Sequence, residues 1–256
     1  MADQHNLLAQ ITLDASLLAR HAAVSGPLPD GRAWERAVGE LLCRPGLESR
    51  QYAGLTTLFG AKSASGCGHE LDGSARGWRG RMLVEAKSKA EGINKADIAV
   101  FGLKTFDYYC AQLPLAASEP WWRIIVSAGP VSDNHRRLCL QEGIVLCDPV
   151  HLPIPMLLSI ASKPAADQYI DEVKLAELVR LGEQACEPLC ERWKLADNGL
   201  LNFRAHRWRG TEMDDLLWLQ EELTGDVLSL YDTYRPGRLE TKMEQLTSRL
   251  RMAAYA

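Results

Sequence analysis

No apolar run in the 256 residues approaches the ~18 that a membrane-spanning helix needs, which excludes a helical membrane protein. The opening MADQHNLLAQ lacks a basic region ahead of an apolar core, so no signal peptide is expected and a cytoplasmic setting is. A disulfide pattern is also missing: the seven cysteines are odd in number and irregularly spaced, as expected of reduced thiols. There is no basic excess. The net charge is −4, so composition does not suggest a strongly basic nucleic-acid binder. That charge is unevenly spread. Residues 30–162 are near balance, with 15 Lys and Arg against 14 Asp and Glu, whereas residues 163–256 carry 13 against 17. No internal repeat, Gly-rich nucleotide loop or Ser-His-Asp spacing is present. What remains is the composition of an ordinary globular chain, 46% hydrophobic and 24% charged, sized for one large domain or a core with an extension.

The most informative stretch runs from His69 to Lys87 and reads HELDG, SARGWRGR, MLVEAK. Asp-Gly and GWRG are turn signals, so two short strands in a hairpin-like pair are expected, with Asp72 ending the first. In RMLVEAK, alternation puts Arg81, Leu83, Glu85 and Lys87 on one face and Met82, Val84 and Ala86 on the other. Strand pairing would then bring Asp72 close to Glu85 and Lys87. Phosphodiester cleavage needs a cation that stabilises charge on the phosphate and acidifies a water. Mg²⁺ takes oxygen ligands, commonly one or two carboxylates plus substrate phosphate. Asp72 and Glu85 supply such carboxylates, and Lys87 beside them can orient the attacking water or balance developing charge. A bound divalent ion would turn the local field positive despite the acids. Alone, E-x-K fits an exposed cross-strand ion pair equally well. The surrounding pattern is what makes it a candidate site.

Residues 5–24 have apolar positions at helical spacing, and SGPLPDG ends that helix. A second helix is expected over 32–43, with Trp34, Val38, Leu41 and Leu42 on its buried side. Glu35 shares that side, where an acid needs a partner: either an Arg or a metal site. Glu40 lies between Arg36 and Arg44 and reads as part of a solvated ladder, with a site role as the alternative. Residues 51–60 are expected as the first strand and 94–113 as a helix with Asn94 at its N-cap and Asp97 in its first turn. WWRIIVSAG (121–129) reads as a buried strand, with Trp121 and Trp122 as packing or as stacking platforms. A helix over 132–143 capped by Ser132 and a last strand, IVLCDPV, follow. Lys89, Lys95, Lys104, Arg136 and Arg137 are surface charges or phosphate contacts. After PIPMLLSIASKPAAD (153–167) the pattern becomes helical over 168–194, 211–231 and 238–254. NFRAHRWRG (202–210) interleaves Arg204, Arg207 and Arg209 with Phe203 and Trp208, as a nucleic-acid contact or a surface loop.

Three blocks together carry a resemblance: GRAWERAVGELL at 31–42, GHELDG with LVEAK at 68–87, and SDNHRRLCLQEGIVLCDPVHL at 132–152. They resemble the PD-(D/E)XK nuclease superfamily, the restriction-endonuclease-like fold, and more narrowly its Mrr-like branch. Leu71 stands where the superfamily's name puts Pro, and Glu70 where this branch often has Gly. The resemblance implies an α/β core with a mixed central sheet flanked by helices, plus a C-terminal helical extension. The expected organisation is an N-terminal helix (1–29), a nuclease domain (30–162) and a helical domain for dimerisation or substrate binding (163–256). By the same resemblance Asp72, Glu85 and the Ala86 carbonyl would bind Mg²⁺ or Mn²⁺. Lys87 would be the catalytic lysine and Glu35 the helix acid. Glu70 alternates onto the face of Asp72 and is a rival ligand; His69 is either structural or a substrate contact. The implied activity is metal-dependent hydrolysis of DNA phosphodiesters in a restriction or phage-defence setting, by a homodimer. An RNA-cleaving or toxin-type nuclease and a non-catalytic nucleic-acid-binding scaffold are the alternatives.

Overall fold

MLVEAK and WWRIIVS are dense in apolar and β-branched residues, and they lie in two adjacent inner strands of a five-stranded sheet. In this computed structural model the described residues are 2–45, 47–51, 63–77, 80–111, 121–154 and 210–234, with isolated positions beyond them. The strands are β1 (Glu48–Gln51), β2 (Gly73–Gly77), β3 (Gly80–Lys87), β4 (Trp121–Ser127) and β5 (Ile144–Cys147). They lie in sequence order across the sheet. The pairings β1–β2 and β2–β3 are antiparallel, whereas β3–β4 and β4–β5 are parallel. Parallel neighbours need crossovers, and these run through α3 (Lys95–Ala111) and α4 (Asp133–Gln141). The other described helices are α1 (Ala2–Val24), α2 (Gly31–Glu40) and α5 (Gly210–Tyr234). The chain is thus an α/β protein with a mixed sheet.

Strand alternation sorts the core into two layers. Met82, Val84, Ala86, Trp122, Ile124 and Val126 pack under α1 and α2. Leu83, Trp121 and Ile125 pack on the opposite side, against Ile98, Phe101, Tyr108 and Tyr109 of α3. Helices covering both faces explain why every residue of β4 is buried. Trp121 and Trp122 are therefore packing residues. The helix α2 starts at Asp30, whose carboxylate accepts from Ala33 N at 3.1 Å, and it is fixed to the sheet by Trp34 Nε1 donating to the Val126 carbonyl at 3.2 Å. The segments leaving β3 and β4 touch backbone to backbone. A Cβ on Gly129 would lie 2.1 Å from the Lys89 carbonyl oxygen, and one on Gly92, at φ +73°, 2.0 Å from that of Pro130. With Ala128 N donating to the Lys87 carbonyl at 2.9 Å, this contact pins the end of β3 where Lys87 sits.

Several expected boundaries move. β1 occupies Glu48–Gln51, ahead of the strand expected over 51–60, and residues 52–62 lie outside the described set. Asp72 does not end a strand; it precedes β2. The hydroxyl of Tyr108 donates to the His69 carbonyl at 2.5 Å and accepts from its N–H at 3.2 Å, taking backbone groups that a ladder would need. Ser132 has the extended backbone of a cap but makes no side-chain cap bond; its Oγ faces His135 Nδ1 at 3.1 Å. Within residues 163–256, α5 is described as a continuous element. Met213, Leu216 and Leu219 of α5 pack with Ile154, and Gln220 and Thr224 take the Leu152 carbonyl and N–H at 2.8 and 3.0 Å. The expected helices over 168–194 and 238–254 fall mostly outside the described residues. Among those described, no helix is long and apolar enough to cross a membrane.

Candidate active site

Pairing of β2 with β3 stops at Gly73↔Val84. Beyond it, the backbone of Ala86 on the β2 side has no ladder partner, and the Asp72 carboxylate takes that position, Oδ2 accepting from Ala86 N at 2.8 Å. Gly73, next to Asp72, packs under Leu42: a Cβ there would lie 2.9 Å from Leu42 Cδ1. The N–H and C=O of one strand residue point to the same neighbour, so the Ala86 carbonyl also leaves β3 towards Asp72. Glu85 and Lys87 share the α3-facing side of the strand. Glu85 is only 4% exposed, and Lys87 Nζ donates to its Oε1 at 2.8 Å while lying 3.8 Å from Asp72 Oδ2. The hairpin therefore brings Asp72, Glu85, Lys87 and the Ala86 backbone together.

Glu35 reaches this group from α2. Burial raises its pKa, with the negative charges of Glu85 and Glu70 adding to the effect and those of Lys87 and Arg32 opposing it. The acid on the apolar side of α2 thus sits in the field of the E-x-K lysine. Asp72 is pushed up to about 6, first by burial and then by the charge of Glu85, against the Ala86 N–H and Lys87. Burial alone would lower Lys87, but the hydrogen bond and charge of Glu85 prevail and hold it above its ordinary value. The lysine is therefore charged at neutral pH, and the aspartate is poised near it.

The helix α3 closes the other side through Lys104, Asp107 and Tyr108, whose spacing puts them on one face. Lys104 Nζ donates to the Glu70 carbonyl at 3.1 Å and lies 3.2 and 3.5 Å from the two Glu85 oxygens. Asp107 accepts from Ser65 N at 2.8 Å, from Ser65 Oγ at 2.5 Å and from His69 Nε2 at 2.7 Å. The Ser65 bonds, with those of His69, hold Asp107 down at about 2. The His69 ring also stands edge-on to Tyr108 at 5.7 Å. These contacts staple the segment carrying Asp72 to the helix and give His69 an anchoring part. Sequence reading missed the staple, although the 104, 107, 108 spacing was its visible signal.

Other expected residues take different places. Glu70 is exposed; its carbonyl is bound by Lys104 and its side chain acts on Glu35 through its charge. Glu40 closes α2 half-buried, more than a turn beyond Glu35. Lys89 is held by both oxygens of Asp97 at 2.8 and 2.7 Å, and Lys95 is exposed at the start of α3. Arg136 is not placed to meet phosphate. It is 2% exposed and bound by Asp133, Glu221 and Gln220 at 2.9, 3.0 and 2.8 Å, tying α4 to α5. Its apolar surroundings at the α4–α5 junction draw the stem inward while acids at the rim satisfy the head. Arg137 pairs with Asp214. Arg204, Arg207 and Arg209 lie outside the described residues.

Two carboxylates and a strand carbonyl form an all-oxygen donor set, which suits Mg²⁺ or Mn²⁺. Among the described residues, no three His, Cys, Asp or Glu side chains form a ready metal-holding group. The Ala86 carbonyl is the further oxygen that β3 offers beside these two carboxylates. Compared with protein-family models, curated proteins and solved structures, the chain matches none of them.

Proposed function

We propose that this chain is a metal-dependent nuclease of the PD-(D/E)XK type, hydrolysing phosphodiester bonds in DNA. The observation that carries the reading is the convergence of Asp72, Glu85 and Lys87 at the end of one hairpin, with Glu35 in their field. A mixed sheet covered by helices on both faces is compatible with a restriction-endonuclease-like core. Asp72, Glu85 and the Ala86 carbonyl would hold Mg²⁺ or Mn²⁺, which when bound neutralises phosphate charge and acidifies water.

The chain's own groups divide the remaining work. Lys87 is kept charged by Glu85 and Asp72, and its ammonium orients the attacking water and offsets charge growing on the phosphate. The water oxygen bonds to phosphorus while one ester P–O bond breaks and the leaving oxygen takes up a proton from solvent water. Glu35, with its raised pKa, is suited to accept the proton that the water gives up. Asp72 is ionised at neutral pH and free to act as a ligand. A homodimer would supply a second site for cutting both strands. A cytoplasmic restriction or defence role suits this activity.

The test incubates the purified chain, with Glu85→Ala and Lys87→Ala, with plasmid, linear DNA and RNA in Mg²⁺ or Mn²⁺. Metal-dependent DNA cleavage lost in both variants is the expected result. Cleavage of RNA alone would move the reading to an RNA-cleaving nuclease. Binding without cleavage in any condition would favour a scaffold, and cleavage unchanged in both variants would sink the site assignment.

A further inference from the structure

Lys104 departs from the pattern of a surface lysine. It projects from α3 into a cradle of three oxygens: the Glu70 carbonyl at 3.1 Å and the Glu85 carboxylate oxygens at 3.2 and 3.5 Å. These are the donor types that a hard divalent cation takes. Lys87 occupies the other flank of Glu85, bonded to Oε1 at 2.8 Å and reaching towards Asp72. Glu85 is therefore shared between two ammonium groups from different elements, while its side chain is almost removed from solvent. The helix holds Lys104 in register through the Asp107 and Tyr108 contacts one turn along.

We infer that Lys104 is a built-in cation that stands in the place of a second metal ion, making the site a one-metal centre. This rests on the proposed metal-dependent reading. A second divalent ion beside Glu85 would need the oxygens that Lys104 already binds, and the tethered ammonium would repel it at short range. The ammonium supplies positive charge on that flank without acidifying water, so only the Asp72 side of Glu85 would generate hydroxide. Lys104 is thus a positioning residue: it acts through Glu85 and sets how many metal ions the carboxylate can serve.

The count of tightly bound Mn²⁺ decides the matter, read from the electron-paramagnetic signal of free Mn²⁺ as the ion is titrated into the full chain. The intact protein and Lys104→Arg should each bind one ion. Lys104→Met, which keeps the aliphatic stem and loses the charge, should bind two, with Lys104→Gln as its substitute if it fails to fold. The steepness of Mg²⁺ dependence in cleavage should rise from first to second order in the same variant. Two ions on the intact chain, or one on a folded Lys104→Met, would overturn the assignment and leave the nuclease reading standing. No Mn²⁺ bound by the intact chain or by either variant would overturn both.

Discussion

Replacing Asp72 with Asn should stabilise the fold while abolishing cleavage. A carboxyl held near pH 6 against an ordinary value of 3.8 carries ~3 kcal/mol of unfavourable ionisation once it is fully charged. The sign follows from burial, which makes the folded state bind the proton more tightly than the unfolded state. The penalty is absent below the unfolded value, grows between 3.8 and about 6, and is complete above it. Asn has nearly the same shape, and its carbonyl oxygen can still accept from Ala86 N–H. What it gives up is the attraction to Lys87 at 3.8 Å, already counted among the causes of the shift. In EDTA at pH 8, urea unfolding should show Asp72→Asn more stable by up to ~3 kcal/mol, with the gain vanishing near pH 4. Added Mg²⁺ should stabilise only the native sequence, because ligand binding favours the state that holds it. A variant less stable than the parent at pH 8, or a difference independent of pH, would refute the account of Asp72 as a carboxyl ionised against its burial.

Three further outcomes are expected. At sub-saturating Mg²⁺, kcat/KM for cleavage should rise through the acid range as Asp72, with its value of about 6, and Glu35, also raised, both ionise, with a slope above one where both are protonated, and then stay level far into alkaline pH because Lys87 is held above its ordinary value; a fall near neutrality in a pH–rate series would contradict it. Arg136→Met should cost ~2 kcal/mol in denaturant unfolding, from lost charge-assisted bonds between α4 and α5, yet leave DNA affinity unchanged in a gel-shift titration. Tyr108→Phe removes the bonds to the His69 backbone and should lower stability by ~1 kcal/mol. Amide exchange should quicken at residues 64–72, and cleavage should slow as Asp72 loses its fixed position; unchanged exchange would show that the staple is dispensable.

Much of the site was legible in the chain itself. Period-two alternation in RMLVEAK is a property of the strand, so Glu85 and Lys87 had to share a face wherever β3 lay. The buried WWRIIVS strand and the inward side of α2 were likewise local patterns, and so was the capping pair in which Asp97 N–H donates to Asn94 Oδ1 at 3.0 Å and Asn94 N–H to Asp97 Oδ2 at 2.9 Å. Tertiary structure decided the rest. Lys104 and Arg136 have the look of surface charges in sequence. One is drawn onto Glu85 and the other sealed between helices, because their partners lie 19 and 85 positions away in the chain. Asp72 was expected to end a strand and instead caps a gap in the ladder, since Tyr108 competes for the backbone of His69. Short-range periodicity therefore determined which residue types share a face. Long-range packing determined which charges meet, because the energy of a charge depends on the solvent it loses and the partners it gains.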